Sequence, residues 1–139
     1  MISLSLILKQ CITLNAQAQD IRPFPKTGMT PQQYRRECKS IFLDVGRQTG
    51  KTTTIIDFYK PGDLVIVHSM DRATYFPRHM NVVSHQRFFD DISRRGDARI
   101  DTERNYIFID EPFNVTPQNM ETLYHTTDAA LYIFLGKFR

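Results

Sequence analysis

Two short stretches of the chain carry residue types that handle phosphate. The first, Asp44-Val45-Gly46-Arg47-Gln48-Thr49-Gly50-Lys51-Thr52-Thr53, is a glycine-bounded polar turn between the apolar run Ile41-Phe42-Leu43 and a helix-compatible segment. A turn that opens a helix presents free backbone N–H groups and the positive end of the helix dipole to an anion. Lys51 adds a movable charge for β and γ phosphates, and Thr52 adds a hydroxyl suited to a magnesium shell. The spacing departs from G-x-x-x-x-G-K-T in one respect: Val45 stands where the first glycine is expected, and Gly46 follows one residue late. By itself such a turn can be an ordinary strand-to-helix connection.

The second stretch lies downstream, where Tyr106-Ile107-Phe108-Ile109 runs into Asp110-Glu111. A carboxylate pair at a strand end can bind a metal's water shell through the first acid and orient an attacking water with the second. Alone, the pair reads as a strand meeting solvent. In order behind the Gly50-Lys51-Thr52 turn, it points to one magnesium–nucleotide site, with Thr52 and Asp110 at the metal and Glu111 as base.

The elements that must position these residues follow from pattern. Thr30-Pro31 reads as a capped helix start, giving a helix over 31–38 that delivers the chain to the first strand. Beyond the turn, a helix runs over 53–58 until Pro61-Gly62, and Asp63-Leu64-Val65-Ile66-Val67-His68 is a buried strand. A short helix over 71–75, a weaker strand over 80–84 and a helix over 86–94 with Phe88, Phe89 and Ile92 inward come next. Arg95-Gly96-Asp97-Ala98-Arg99 is a charged loop ahead of the acidic strand. Thr116-Pro117 starts a last helix, and 130–135 is a final buried strand.

Residues 2–8 fit a strand by alternation and a helix by Leu4, Leu8, Cys11 and Ile12, so their type stays open. Strands alternating with helices, most of them apolar throughout, imply an α/β fold of the phosphate-loop type. It is a three-layer sandwich around a mainly parallel sheet of about five strands. Residues 1–29 form an N-terminal extension and linker, and 30–139 the nucleotide-binding core. In such sheets ligands lie beyond the carboxyl ends of the strands.

The 139-residue length allows one domain and one site. The apolar and charged fractions are those of a water-soluble globular domain, and no apolar run is long enough for a bilayer. A net charge of +3 permits a polyanionic partner without demanding one. Cys11 and Cys38 are too few for a metal cluster or disulfide framework and imply reduced thiols in a cytoplasmic setting. No basic residue precedes the first apolar run and Lys9 interrupts it, which argues against a signal peptide.

With these residues assembled, the chain resembles the ATPase domain of the phage terminase large subunit, within the helicase-like phosphate-loop ATPases. The resemblance rests on Gly46-Arg47-Gln48-Thr49-Gly50-Lys51-Thr52-Thr53, on Tyr106 to Glu111, and on the upstream Gln32-Gln33-Tyr34-Arg35-Arg36. It implies an Mg2+-dependent ATPase acting on DNA in viral DNA packaging or processing, in the host cytoplasm. Lys51 would be the phosphate lysine, Thr52 and Asp110 the magnesium residues, and Glu111 the catalytic base. Gln32 or Gln33 would contact adenine. Arg47 would stabilise transition-state charge from within the subunit, against the plainer reading of a solvated loop charge.

Leu135-Gly136-Lys137 stands where the family places a coupling motif, without a Ser, Thr or Asn sensor. Translocation would then need a ring of identical copies or a partner protein. Two other classes stay open: a small-molecule kinase using the same loop, and a non-enzymatic nucleotide-binding interaction protein. His68, His79, His85 and His125 lack zinc-like spacing. Arg72, Arg78, Arg87 and the arginines to Arg104 form either a nucleic-acid track or a solvated face.

Overall fold

A computed structural model describes residues 3–44, 50–95 and 100–137. Five strands form one all-parallel sheet: β1 (Ser40–Leu43), β2 (Leu64–Val67), β3 (Val82–Ser84), β4 (Ile100–Asp110) and β5 (Thr127–Leu135), in the spatial order β1-β5-β4-β2-β3. Six helices accompany them, α1 (Leu4–Ile21), α2 (Pro31–Cys38), α3 (Lys51–Phe58), α4 (Met70–Ala73), α5 (His85–Arg95) and α6 (Pro117–Thr126). This is the three-layer α/β sandwich that the sequence implies.

Connectivity explains the layers. From β1 the chain crosses over β5 and β4 to reach β2 and then β3, whereas from β3 it steps back to β4 and β5. Right-handed crossovers in opposite directions put their helices on opposite faces. Two buried clusters record this division. Ile55 of α3 packs with Val65, Val67, Phe108, Ile133 and Leu135, while Phe88, Phe89 and Ile92 of α5 and Leu123 and Tyr124 of α6 pack with Ile66, Ile107, Ile109 and Phe134. Adjacent residues of one strand serve different clusters, as the two-residue period requires.

Residues 2–8, open between strand and helix, belong to α1 from Leu4 onward. Ser3 caps it by accepting the Leu6 N–H at 3.2 Å, and Leu8 is fully buried against the α3 face. Burial of one helical stripe decides what local pattern left undecided. The N-terminal stretch expected as an extension therefore places α1 in the core packing. β4 begins at Ile100, earlier than Tyr106, with its pairing to β5 irregular between Thr102 and Tyr106. Of the expected charged loop at 95–99, Arg95 closes α5 and 96–99 lie outside the described residues.

Register sets the working end. Leu43 and Asp110 both pair with Leu135, Ile66 with Ile109, and Val67 with Ser84, so the strands stop at one level. Asp44, His68, His85, Glu111 and Gly136 each follow a strand end along this rim.

Candidate functional site

Lys51 is the first residue of α3, and Gly50 is its cap in the left-handed region, at φ 82 and ψ 26. That conformation favours glycine and lets the chain turn directly into the helix. Lys51 is 8% exposed. Its ammonium donates to Glu111 Oε1 and lies 3.9 Å from Asp110 Oδ1. The helix that follows β1 thus puts its first side chain against the end of β4, two positions away in the sheet.

Glu111 carries the unusual backbone. Its φ of 55 and ψ of 64 make it the one non-glycine residue with positive φ among the described residues. A side chain held there costs on the order of 1–2 kcal/mol, a cost that surrounding contacts must offset. Backbone bonds supply the restraint: Glu111 N–H donates to Leu135 O at 3.0 Å, Phe113 N–H to Lys137 O at 2.8 Å, and Gly136 N–H to Leu43 O at 3.0 Å. Gly136, at φ 129, leaves the room, since a Cβ there would stand 3.1 Å from the Glu111 carboxyl.

The two acids are driven in opposite directions. Burial raises Asp110 above the ordinary carboxylate range, an effect that Lys51 and Arg72 only partly offset. Burial acts the same way on Glu111, but the Lys51 hydrogen bond and charge, the Lys137 N–H and Arg72 together outweigh it and hold Glu111 below its usual range. Asp110 Oδ1 is buried with no hydrogen-bond partner among the described residues. Such an orphaned oxygen facing a lysine fits a water or cation bound with a ligand. Among the described residues no three His, Cys, Asp or Glu side chains could hold a metal by themselves. Magnesium asks for less, one or two protein oxygens beside phosphates and waters, and Thr52 and Asp110 meet that demand in kind.

Arg72 lies at this site although its sequence context gave no sign of it. Its guanidinium is 3.9 Å from Glu111 Oε1, carried there by α4 immediately beyond β2. The available signal was positional, because a strand paired beside β4 must release its following residues at the same rim.

His85, which opens α5, is 7% exposed, and its Nε2 lies 3.1 Å from the Asp110 carbonyl oxygen. A carbonyl only accepts, so Nε2 carries the proton and Nδ1 is left as an acceptor, buried and unpartnered. Burial pushes this imidazole down to about 4, with the Asp110 bond working against the shift and His68 with it. Above about pH 6.5 the ring is neutral in folded and unfolded chains alike; below that, only the unfolded chain takes up a proton. The stability contributed is therefore lost as pH falls from about 6.5 toward 4, by up to about 3 kcal/mol. Urea unfolding at pH 7.5 and pH 4.5 should show that loss, and His85→Gln should flatten it.

No protein-family model and no curated protein matches the chain. The functional reading accordingly rests on what its own residues bring together. Lys51, Asp110 and Glu111 meet, and Thr52 and Thr53 follow Lys51 in the first turn of α3. Gly46, Arg47, Gln48 and Thr49 lie outside the described residues. Gln32 is engaged elsewhere: its amide donates to Glu121 Oε2 at 2.6 Å and to the Glu121 carbonyl at 3.3 Å, on α6. That helix packs on the sheet face opposite α3. Gln32 thus lies against α6. Cys11 and Cys38 are free thiols, and no helix among the described residues is long and apolar enough to cross a membrane.

Proposed function

We propose that the chain binds a nucleoside triphosphate with magnesium at the end of β1 and β4 and hydrolyses it, as an ATPase of the terminase and helicase type that acts on DNA. One observation carries the nucleotide half: the lysine that opens α3 lies against the acidic pair ending β4. The DNA half is supported by the terminase-like loop.

Magnesium, when bound, would neutralise charge on the phosphate oxygens, with Thr52 and Asp110 as its protein side. The chain's own residues do the rest. A triphosphate offers Lys51 a stronger anionic partner than Glu111, and Lys51 transfers to it. Glu111 thereby loses the principal contact holding its basicity down. It is then free to take a proton from the attacking water as that oxygen bonds to the γ phosphorus and the bond to the departing diphosphate breaks. Arg72, released from the same carboxylate oxygen, faces the charge that builds on the phosphoryl group.

ATP turnover by the purified chain, measured as phosphate release with magnesium and with or without duplex and single-stranded DNA, tests both halves. Arg72→Ala should lower kcat on the order of 10²-fold with KM little changed, and Arg72→Lys should recover part of the loss. Absence of magnesium-dependent turnover in the wild-type chain would remove the enzyme, and turnover indifferent to DNA would remove the DNA partner.

A further inference from the structure

On the α5–α6 side of Asp110, away from Lys51, a cleft of about 440 Å³ opens between the start of α5 and the turn after β4. That volume lies within the range of small-molecule sites. Its walls are His68, His85, Gln86, Phe89, Asn114 and Asn119, with Asp90 beside them. Chemically the lining is consistent. Three carboxamides, two imidazoles and the Asp90 carboxylate line it beside the buried ring of Phe89, and among the described residues no lysine or arginine lines it.

Among the described residues, the side-chain amides of Gln86, Asn114 and Asn119 make no hydrogen bond within the chain, and the buried Nδ1 of His85 is an acceptor without a donor. An anion is disfavoured here, because among the described residues no cation lines the cleft and Asp90 would repel it. A purely apolar molecule is disfavoured as well, since it would strip water from several amides and return nothing. A flat, uncharged molecule with donors and acceptors along its edge satisfies both conditions. Carboxamides pair two-pronged with such edges, and the exposed imidazole of His68 can take the flat face.

We infer that this cleft is a nucleobase site, filled by a nucleoside or by an unstacked base of a single-stranded polynucleotide, and separate from the triphosphate site at Lys51. Through the bond from His85 Nε2–H to the Asp110 carbonyl, its occupant reaches the backbone of the acidic pair. The inference goes beyond nucleotide hydrolysis and does not require it.

The test is an NMR titration of the imidazole resonances of the full chain with adenosine, guanosine, cytidine, thymidine, glucose and single-stranded DNA oligonucleotides of one base each. At least one nucleoside should shift His68 and His85 in a saturable way and leave His79 and His125 in place. The double variant Asn114→Ala/Asn119→Ala should bind about tenfold more weakly. Both are loop or first-turn side chains without side-chain hydrogen bonds among the described residues, and a circular dichroism spectrum matching wild type confirms the fold. Saturation by the oligonucleotide at a concentration at least about tenfold lower than by its nucleoside identifies a polynucleotide as the source; the reverse identifies the free nucleoside. Three results would overturn the inference: His68 and His85 unmoved by every ligand, shifts that glucose reproduces, or shifts unchanged in the double variant. None involves a triphosphate, so failure here leaves the ATPase reading intact, and failure of ATP turnover leaves this one intact.

Discussion

Glu111→Gln should lower ATP turnover by a factor of about 10²–10⁴, the usual contribution of a positioned general base, while MgATP still binds. The amide keeps the shape of the side chain and an oxygen for Lys51 to meet, so Lys51 and the start of α3 stay where they are. Proton acceptance is what disappears. Phosphate release under saturating ATP, alongside calorimetric titration with the same nucleotide, separates the two effects. Turnover equal to wild type would show that another group takes the proton, and loss of binding with turnover would mean that Glu111 holds the ligand instead of activating water.

Lys51→Ala should act on two properties at once. With the ammonium gone, the β and γ phosphates lose their principal side-chain cation, and MgATP should no longer raise the melting temperature as it does for any ligand that binds only the folded state. The unliganded protein should also weaken. Asp110 is 3% exposed, and removing its neighbouring cation leaves two adjacent carboxylates facing each other. Breaking a fully buried pair costs about 3–5 kcal/mol. Here the Glu111 side chain is 18% exposed and Arg72 remains 3.9 Å from it, which brings the expected loss to about 1–3 kcal/mol. Urea unfolding and a melting curve with and without MgATP measure both. A variant that is as stable as wild type and still stabilised by MgATP would place the triphosphate somewhere other than at Lys51.

How much of this was legible beforehand depends on how local each determinant is. Thr30-Pro31 and Thr116-Pro117 announce helix starts, and both threonine hydroxyls accept the expected N–H, from Gln33 and from Asn119 at 3.1 Å each. The run Leu64 to Val67 is apolar at every position because both faces are covered, so β2 could be read without ambiguity. Lys51 and the acids of β4 could be paired in advance because each sits at a chain turn whose chemistry is local.

Other features needed the assembled sheet. Leu4 and Leu8 satisfy a strand and a helix equally, and only the burial of Leu8 under α3 separates the two. The start of β4 was hidden by Asp101 and Thr102, polar residues that look like loop until Asp128 and Ala129 of β5 pair with them. Gln32 looked free to reach a base, yet Glu121, far along the chain, occupies it. Arg72 and His85 belong to the site through the order of strands, and no spacing within their own segments encodes that order.

The three strand exits are stitched to one another. Leu43 receives the amide of Gly136, Leu135 receives that of Glu111, and Lys137 receives that of Phe113. The Glu111 backbone fastened in this manner does not shift alone: whatever displaces it also pulls, through β5, on the last peptide of β1. The ends of β1, β5 and β4 become a single moving part, carried by a seam of main-chain amides that side-chain substitution leaves in place.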